Sequence, residues 1–421
     1  MNQELHHPRY VPSCLMSVAF LLGFLGCDSP AEVTDNIQWW KGNTHTHTLW
    51  SDGNAAPEKV SAWYRNHGYH FLVLSDHNVL SVGDRWFPVS TQGDGRLREQ
   101  HVAELRRDFG EEWVETRKNN NYLEMRLKTL TELREFFEVP GEFLFIQGEE
   151  VTDRFEKHEV HINAINVEEL IMPQHGNSLI ETIQRNLDAI IESGKRNDRP
   201  VMAHVNHPNF GWSLTARDLA TIRGERFFEV YNGHPSVHNE GDKTRPSTER
   251  MWDIANTLRL TELDLPLLFG MATDDAHHYF TEGAGKANTG RGWVMVRAAA
   301  LTPEHLLEAM HAGEFYGTSG VRLENIRVGL SDFTISIAKE KGVTYRTEFI
   351  GALKKKDGSM EIGKVFQANS DNPATYSFSG NELFVRAKVV SNRLHPNPYK
   401  KGDFETAWLQ PVIPGSGEYP K

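Results

Sequence analysis

Residues 42–53 read GNTHTHTLWSDG, and this stretch decides how the rest of the chain is interpreted. It places His45 and His47 one residue apart, and a carboxylate, Asp52, follows shortly after the second histidine. Imidazole and carboxylate are groups that bind divalent metal ions in proteins without thiolate ligands. One such stretch is a weak signal, because an isolated histidine is more often an ordinary core or surface residue. A metal site therefore requires partners elsewhere in the chain.

Further segments repeat this pattern, each an apolar run that carries metal-binding side chains at or near its end. They are FLVLSDHN with Asp76 and His77, FLFIQGEE with Glu149 and Glu150, HEVHINAIN with His158 and His161, PVMAHVNHPN with His204 and His207, and GMATDDAHH with Asp274, Asp275, His277 and His278. Helix patterns lie between several runs, such as SLIETIQRNLDAIIESG, with Ser178 as N-cap and Gly194 as the end. The alternation indicates an α/β fold. In a parallel α/β barrel the carboxyl ends of the strands converge, so these side chains are expected to share one pocket.

The residue types suit a hydrolytic centre with several metal ions. Imidazole and carboxylate without thiolate favour zinc, manganese or iron. A carboxylate can bridge two cations, whereas a single histidine nitrogen cannot. Many histidines and few acids leave a net positive charge that attracts an anionic substrate. The pattern therefore predicts hydrolysis by metal-activated hydroxide, with neighbouring ions holding phosphate oxygens.

In family order, the motifs HxH…SD, SDHN, GEE, HxNA, NHPN and DDAH resemble those of the polymerase and histidinol phosphatase (PHP) superfamily of metal-dependent phosphoesterases. The resemblance spans about residues 40–325. The phrases EVYNGHPSVHNEGD, GRGWVMV and GEFYGTSGV are similar to those of an exported bacterial branch with an added C-terminal β region. It implies an α/β fold, a distorted (β/α)7-type PHP barrel, and two or three divalent metal ions (Zn, Mn or Fe).

Carried over residue by residue, the family pattern also implies the ligands. It gives three sites: His45, His47, Asp275 and a bridging Glu150 in the first; Glu150, His161 and His207 in the second; Asp52, His77 and His277 in the third. Some family members have histidine where Asp52 stands, which bears on the choice of metal there. Glu150 is preferred over Glu149 because the family motif is Gly-x-Glu.

Three further residues receive catalytic roles from the sequence. Asp76 is expected to orient the His77 ligand. Arg291 is expected to contact substrate phosphate through its forked donors, and His278 to contact the phosphate or protonate the leaving alcohol. A structural role for Arg291 and His278 fits the sequence equally well. An ordinary structural role is at least as consistent for four other histidines, His158, His204, His234 and His238.

Composition narrows the partners and the location. The 421 residues carry a formal net charge of −12, so a nucleic-acid-binding surface is not expected, whereas a small anionic, phosphorylated substrate remains compatible with a local metal charge. The apolar run LMSVAFLLGFLG, residues 15–26, predicts a signal peptide over residues 1–27, with Cys27 as a lipidated first residue of a periplasmic or membrane-anchored lipoprotein. The only other cysteine, Cys14, lies in the same leader, so the mature protein is expected to contain no disulfide.

The pattern of apolar, polar and charged residues changes along the chain and suggests three parts after the leader. A metallohydrolase domain is expected over residues 37–325, and the charged interval 82–140 within it is expected to be an inserted helical cap. A solvated helical hairpin without a role is equally consistent with that interval. Alternating apolar and polar residues predict a small antiparallel β domain over residues 330–421.

The expected function is a metal-dependent hydrolase, most simply a phosphomonoesterase or phosphodiesterase. One alternative keeps the metal ions but cleaves an ester, carbamate or amide bond. A second alternative is a non-catalytic surface lipoprotein that binds metal or glycans.

Overall fold

A computed structural model describes residues 37–91 and 95–419 of the chain. The predicted leader, residues 1–27 with Cys14 and Cys27, lies outside these residues, so export and lipid attachment stay predictions. Within the two described ranges, no helix is both long and apolar enough to cross a membrane.

The described residues form strands β1 to β19 and helices α1 to α7. The strands are β1 Gln38–Asn43, β2 Phe71–Leu74, β3 Trp86–Val89, β4 Thr116–Asn119, β5 Tyr122–Arg126, β6 Leu144–Phe155, β7 His158–Ile165, β8 Met202–Val205, β9 Phe227–Asn232, β10 Phe269–Thr273, β11 Trp293–Ala298, β12 Phe315–Thr318, β13 Leu323–Val328, β14 Asp332–Ile337, β15 Tyr345–Lys354, β16 Met360–Asn369, β17 Ala374–Ser377, β18 Glu382–Leu394 and β19 Phe404–Val412. The helices are α1 Pro57–Asn66, α2 Glu99–Phe109, α3 Leu130–Phe137, α4 Leu179–Arg196, α5 Ala216–Thr221, α6 Thr248–Leu258 and α7 Pro303–His311.

The fold is a mixed α/β structure built on one large sheet, and this confirms the predicted class. Thirteen strands are hydrogen-bonded in the order β10-β9-β8-β7-β6-β2-β1-β11-β12-β19-β18-β15-β16. β1 is parallel to β2, β2 to β6, β8 to β9 and β9 to β10, while β7 runs against both of its neighbours. The carboxyl ends of six strands therefore meet at one edge of the sheet. β2 and β10 are buried along their whole length, as expected for parallel strands that are covered on both faces.

A single bridge joins the segments that follow β1 and β10. Thr46 pairs in parallel with Ala276. His47 N donates to Ala276 O at 3.0 Å, and Asp275 N donates to His45 O at 3.1 Å. These contacts place the first and last predicted metal motifs side by side, although β10 stands at the end of the hydrogen-bonded strand order. A complete (β/α)7-type barrel stays a prediction.

Helix α4 begins where the sequence predicts and ends slightly later. The Ser178 hydroxyl accepts a hydrogen bond from Glu181 N at 3.2 Å, which is the expected N-cap. The helix continues past Gly194 to Arg196. An added Cβ at the buried Gly194 would lie 2.7 Å from Val201 Cγ2, so the glycine allows close packing before β8 instead of ending the helix.

The interval 82–140 is only partly helical, which differs from the cap that the sequence predicts. It holds α2 and α3, but also an antiparallel sheet in the order β3-β5-β4. β4 and β5 are short and rich in charged residues that also suit helices, so their pattern did not reveal strands. The Arg96 guanidinium donates to Ser51 O at 2.5 Å, and Trp50 Nε1 donates to Lys128 O at 3.0 Å. The interval therefore covers the loop that follows β1.

The C-terminal strands continue the central sheet. β19 pairs with β12, and β18, β15 and β16 follow it in the same hydrogen-bonded order. β13, β14 and β17 form a separate three-stranded sheet. Its buried residues Phe333 and Ile335 pack in one apolar cluster with Phe349 of β15 and Leu409 of β19. Most of the β region that the sequence predicts from residue 330 thus belongs to the same hydrogen-bonded sheet as the strands that carry the metal motifs, and it joins that sheet at β12.

Replacing Glu58 by glutamine is expected to stabilise the protein at alkaline pH. Glu58, in the first turn of α1, is 1% exposed, and burial raises its pKa to about 7 from the ordinary 4.5. Because the pKa of Glu58 is higher in the folded than in the unfolded state, Glu58 does not reduce the free energy of unfolding below about pH 4.5. This stability is lost as the pH rises through 7, since the buried side chain must then ionise. Glutamine lacks this charge, so Glu58→Gln should be about 1–3 kcal/mol more stable than the native protein at pH 8 and little different near pH 4.5. Urea unfolding at both pH values measures this, and a less stable variant at pH 8 would contradict it.

Candidate metal centre

Glu150, in β6, lies at the centre of a cluster of histidines. Its side chain is 0% exposed, and Asn206 Nδ2 donates to Oε1 at 2.7 Å. Five imidazoles surround the two oxygens: His161 Nδ1 at 3.1 Å, His45 Nε2 at 3.4 Å and His207 Nε2 at 3.5 Å from Oε1, and His77 Nδ1 at 2.8 Å and His47 Nε2 at 3.5 Å from Oε2. One carboxylate thus faces a different set of histidines with each oxygen, which is the arrangement that a bridging ligand needs.

All nine ligands predicted from the sequence belong to groups whose ligand atoms lie within 4.8 Å of one another. The groups are His45–His47–Glu150, His45–His207–Asp275, His77–Glu150–His161 and His47–Asp52–His77–His277. The first group holds three of the four ligands predicted for the first site, and the Asp52 group holds the predicted third site together with His47. The others differ from the predicted division, because His77 also lies beside Glu150 and His161, and His207 lies with His45 and Asp275.

Asp274 and Asp275 are adjacent in sequence but have different surroundings. Asp275 adopts a φ of 50°, in the left-handed region that aspartate tolerates better than most residues, and its Oδ1 lies 3.4 Å from His45 Nε2. Asp274 instead accepts hydrogen bonds from the Tyr64 hydroxyl and from the backbone N–H groups of residues 290–292, at 2.6–2.9 Å. Asp275 is therefore available to the centre, while Asp274 holds the neighbouring loop.

Charge coupling inside the cluster is strong. Burial raises the pKa of Glu150, but the neighbouring histidines, His77 first, hold it well below its usual range. Burial lowers the pKa of His77 and of His161, but the Glu150 carboxylate outweighs it and raises them to about 11 and about 9. Burial and the nearby cations of His277 and His77 lower the pKa of His47 to about 3. Without a metal ion, the centre thus holds protons on some imidazoles and excludes them from others.

The nitrogen and oxygen atoms of the cluster are better arranged to bind a divalent cation than to form hydrogen bonds with one another. His45 Nδ1 lies 2.6 Å from Glu229 Oε1, so neutral His45 that donates this proton presents a lone pair at Nε2. That nitrogen lies 3.1 Å from His47 Nε2, among acceptor atoms. Glu150 Oε2 and His161 Nδ1 are buried without a partner of hydrogen-bond geometry among the described residues. A cation would satisfy these inward-facing nitrogen and oxygen atoms together.

Asp76 occupies a different place from the one predicted for it. It does not orient His77, whose Nδ1 lies 2.5 Å from Thr152 Oγ1 and 2.8 Å from Glu150 Oε2. The buried Asp76 carboxylate accepts hydrogen bonds from the backbone N–H and hydroxyl groups of Thr48 and Ser51, at 2.5–2.9 Å. It thereby holds the loop between two of the candidate ligands.

Arg291 and His278 lie outside the four groups of ligands. The Arg291 side chain is 0% exposed and donates to backbone carbonyls, among them Gly233 O and Gly283 O at 2.8 Å. His278 Nδ1 accepts a hydrogen bond from Ala287 N at 3.2 Å. Both side chains fasten loops in this structure, so the placement does not support the predicted contacts with substrate.

Glu229, in β9, is a member of the site that the sequence reading missed. It is 0% exposed, and burial raises its pKa while the His45 charge lowers it, with a net fall to about 2. Its oxygens accept hydrogen bonds from His207 N at 2.7 Å, Thr273 Oγ1 at 2.7 Å and Asn232 Nδ2 at 2.8 Å. The available signal was a lone acid in the otherwise apolar run FFEV, where an ionised side chain has no place without partners.

Comparison with known proteins gives structural likenesses only. No family model matches the chain, and no curated protein matches it. A two-domain protein of Bacteroides vulgatus, which contains a predicted PHP-like metal-dependent phosphoesterase, is similar with 14% identity and a TM-score of 0.41, over 89% of this chain and 95% of that one.

Two more solved structures are similar over a smaller part. One is a candidate metal-dependent phosphoesterase of Bifidobacterium adolescentis, at 16% identity and TM-score 0.28, over 59% of this chain and 89% of that one. The other is an amidohydrolase of Chromobacterium violaceum with bound sulfate and no metal, at 16% identity and TM-score 0.29, over 57% and 88%.

The fold and the site together define a class: an α/β protein whose strand ends converge on a candidate centre for divalent metal ions. Nine histidine, aspartate and glutamate side chains supply its donor atoms. Zinc, manganese and iron all accept imidazole and carboxylate donors of this kind.

Addition of Mn²⁺ or Zn²⁺ to chelator-treated protein is expected to raise its melting temperature. Each ion that binds only the folded chain adds about 2.7 kcal/mol of stability at a free concentration one hundred times its Kd. The shift at a fixed ion concentration should be larger at pH 8 than at pH 6, because imidazole must lose its proton to bind metal. Thermal scans at both pH values test this. Identical melting temperatures with and without ions would contradict the metal centre.

Proposed function

We propose that the protein is a metal-dependent phosphoesterase of PHP type that acts on small anionic substrates. The observation that carries the proposal is Glu150, one buried carboxylate between five imidazoles. A purely structural role for this cluster would leave Glu150 Oε2 and His161 Nδ1 buried without partners of hydrogen-bond geometry among the described residues.

The residues divide into a buried floor and an exposed rim. His45, His47 and Glu150 have side chains that are 0% exposed, whereas Asp52 is 55% exposed. Asp52 Oδ1 lies 3.2 Å from His277 Nε2. Substrate would therefore approach from the Asp52 side, where the centre is open to water.

The charge of the site supports an anionic substrate. Three of the nine candidate ligands are carboxylates, so two divalent ions already outweigh them. Divalent ions bound there would lower the pKa of water and neutralise phosphate oxygens. The chain's own residues hold the geometry: Asn206 fixes the Glu150 carboxylate, and Asp76 fixes the loop between His47 and Asp52. Orientation of this kind is needed for attack by water on the phosphorus atom.

Metal analysis followed by a substrate panel tests the proposal. Protein purified without chelator should contain at least one divalent ion per chain and hydrolyse a phosphomonoester or a phosphodiester. A panel that also contains aryl esters and amides separates the alternative hydrolase. Fully loaded protein that cleaves esters but no phosphoester would overturn the proposed substrate class. Tight metal uptake without any hydrolysis would favour a binding protein.

A further inference from the structure

We propose that Glu229 is a positioning residue that holds the three ligands of one metal site, His45, His207 and Asp275. The proposal rests on the metal-binding part of the proposed function and does not depend on which bond is cleaved. Glu229 belongs to none of the four ligand groups among the described residues.

The contacts of Glu229 reach each of these ligands. Oε1 lies 2.6 Å from His45 Nδ1, and Oε2 accepts the backbone N–H of His207 at 2.7 Å. The third link passes through Asn232, whose Nδ2 donates to Glu229 Oε2 at 2.8 Å and to Asp275 Oδ2 at 3.1 Å. One carboxylate thus connects residues that follow β1, β8 and β10.

Each contact has a defined effect on its ligand. Glu229 accepts the Nδ1 proton of His45 and so directs the Nε2 lone pair toward the centre. The bond to His207 N holds a residue with a φ of 21°, at the edge of the left-handed region, where backbone needs support. The Asn232 amide leaves Asp275 Oδ1 free to face His45 Nε2 at 3.4 Å. Loss of the carboxylate would therefore loosen all three ligands at once.

The test compares Glu229→Gln with Glu149→Gln, a matched control. Glu149 is also a buried strand glutamate, but its Oε1 accepts from Ile171 N at 2.6 Å and it belongs to none of the ligand groups found in the described residues. Calorimetric titration of chelator-treated protein with Mn²⁺ should show one ion bound 10–100-fold more weakly in Glu229→Gln, the range for residues that support metal ligands. Glu149→Gln should bind as the native protein does.

Nitrogen-15 histidine spectra of the zinc-loaded protein supply a readout that a merely structural residue would not move. In the native protein, the proton that His45 Nδ1 donates to the Glu229 carboxylate should give a signal far downfield. His45→Gln should lose this signal, which assigns it, and Glu229→Gln should lose it as well. Unchanged stoichiometry, affinity and spectrum in folded Glu229→Gln would overturn the proposal.

A second variant keeps the test decisive if Glu229→Gln does not fold. Asn232→Ala removes the link to Asp275 and the acceptor of His234 N, but it keeps the contacts of Glu229 with His45 and His207, so it should weaken the same ion by less than Glu229→Gln would. Native-like Mn²⁺ affinity in a folded Asn232→Ala protein would then count against the proposal. Normal metal binding without hydrolysis would defeat the phosphoesterase function but leave this assignment standing.

Discussion

Glu150→Gln is expected to remove metal binding and hydrolytic activity together. The amide keeps the size of the side chain but replaces one acceptor oxygen by an NH₂ group, which cannot bind a cation between His77 and His47. Metal affinity should fall more than a hundredfold, beyond the 10–100-fold seen for residues that only support ligands. Mass spectrometry of metal content and initial rates on the best substrate of the panel measure the two effects.

Glu149→Gln is the matched control for that change. Glu149 is the preceding residue of the same strand, and burial raises its pKa to about 8, so it is mostly neutral at pH 7 and resembles glutamine already. The control should retain metal and activity. If Glu150→Gln kept full metal content and rate, the bridging role would be wrong.

Arg386→Ala is expected to destabilise the protein by about 3–5 kcal/mol, the range for breaking a buried ion pair. Arg386 in β18 forms two hydrogen bonds with Asp253 in α6, at 2.7 and 2.9 Å, and the two side chains are 2% and 3% exposed. Alanine would leave the Asp253 carboxylate buried without its cation. Urea unfolding at neutral pH measures the loss.

Arg393→Ala provides the comparison on the same strand. Arg393 pairs with Glu340 and Glu405, but its side chain is 40% exposed, so removal should cost less than about 1 kcal/mol. If the two variants lost the same free energy of unfolding, the buried Arg386–Asp253 pair would contribute no more to stability than an exposed ion pair, and the prediction would be wrong.

The candidate ligands could be listed from the sequence because each stands at or near the end of an apolar run, and the choice among neighbours, such as Asp275 over Asp274, came from the family resemblance. Strand ends that converge need no knowledge of side-chain angles, so His45, His77 and Asp275 were within reach of pattern reading. The division of these residues into groups could not be predicted from the sequence. His77 turns its Nδ1 toward Glu150, and the orientation of its ring depends on neighbours such as Thr152.

The supporting residues were beyond sequence reasoning for a similar reason. Glu229 lies inside a strand, where the alternation of side chains predicts the face of the sheet that a residue occupies but not the residues that it contacts. Arg291 was predicted to contact substrate because its chemistry suits phosphate, yet it donates hydrogen bonds to the backbone carbonyls of Gly233 and Asn397, which are far apart in the chain. The strands of the interval 82–140 were not predicted because short polar strands show no clear alternation of apolar and polar residues.

The strand order has a consequence for how the chain is made. β19, the latest-synthesised of the thirteen strands, lies between β12 and β18, so the backbone pairing between the ligand-bearing half of the sheet and the three strands β18, β15 and β16 passes through it. A nascent chain that has left the ribosome only as far as β18 has two sheet edges still open, and open edges attract other strands. Until β19 is made, the edges of β12 and β18 that it covers in the folded sheet remain open to pairing with other strands.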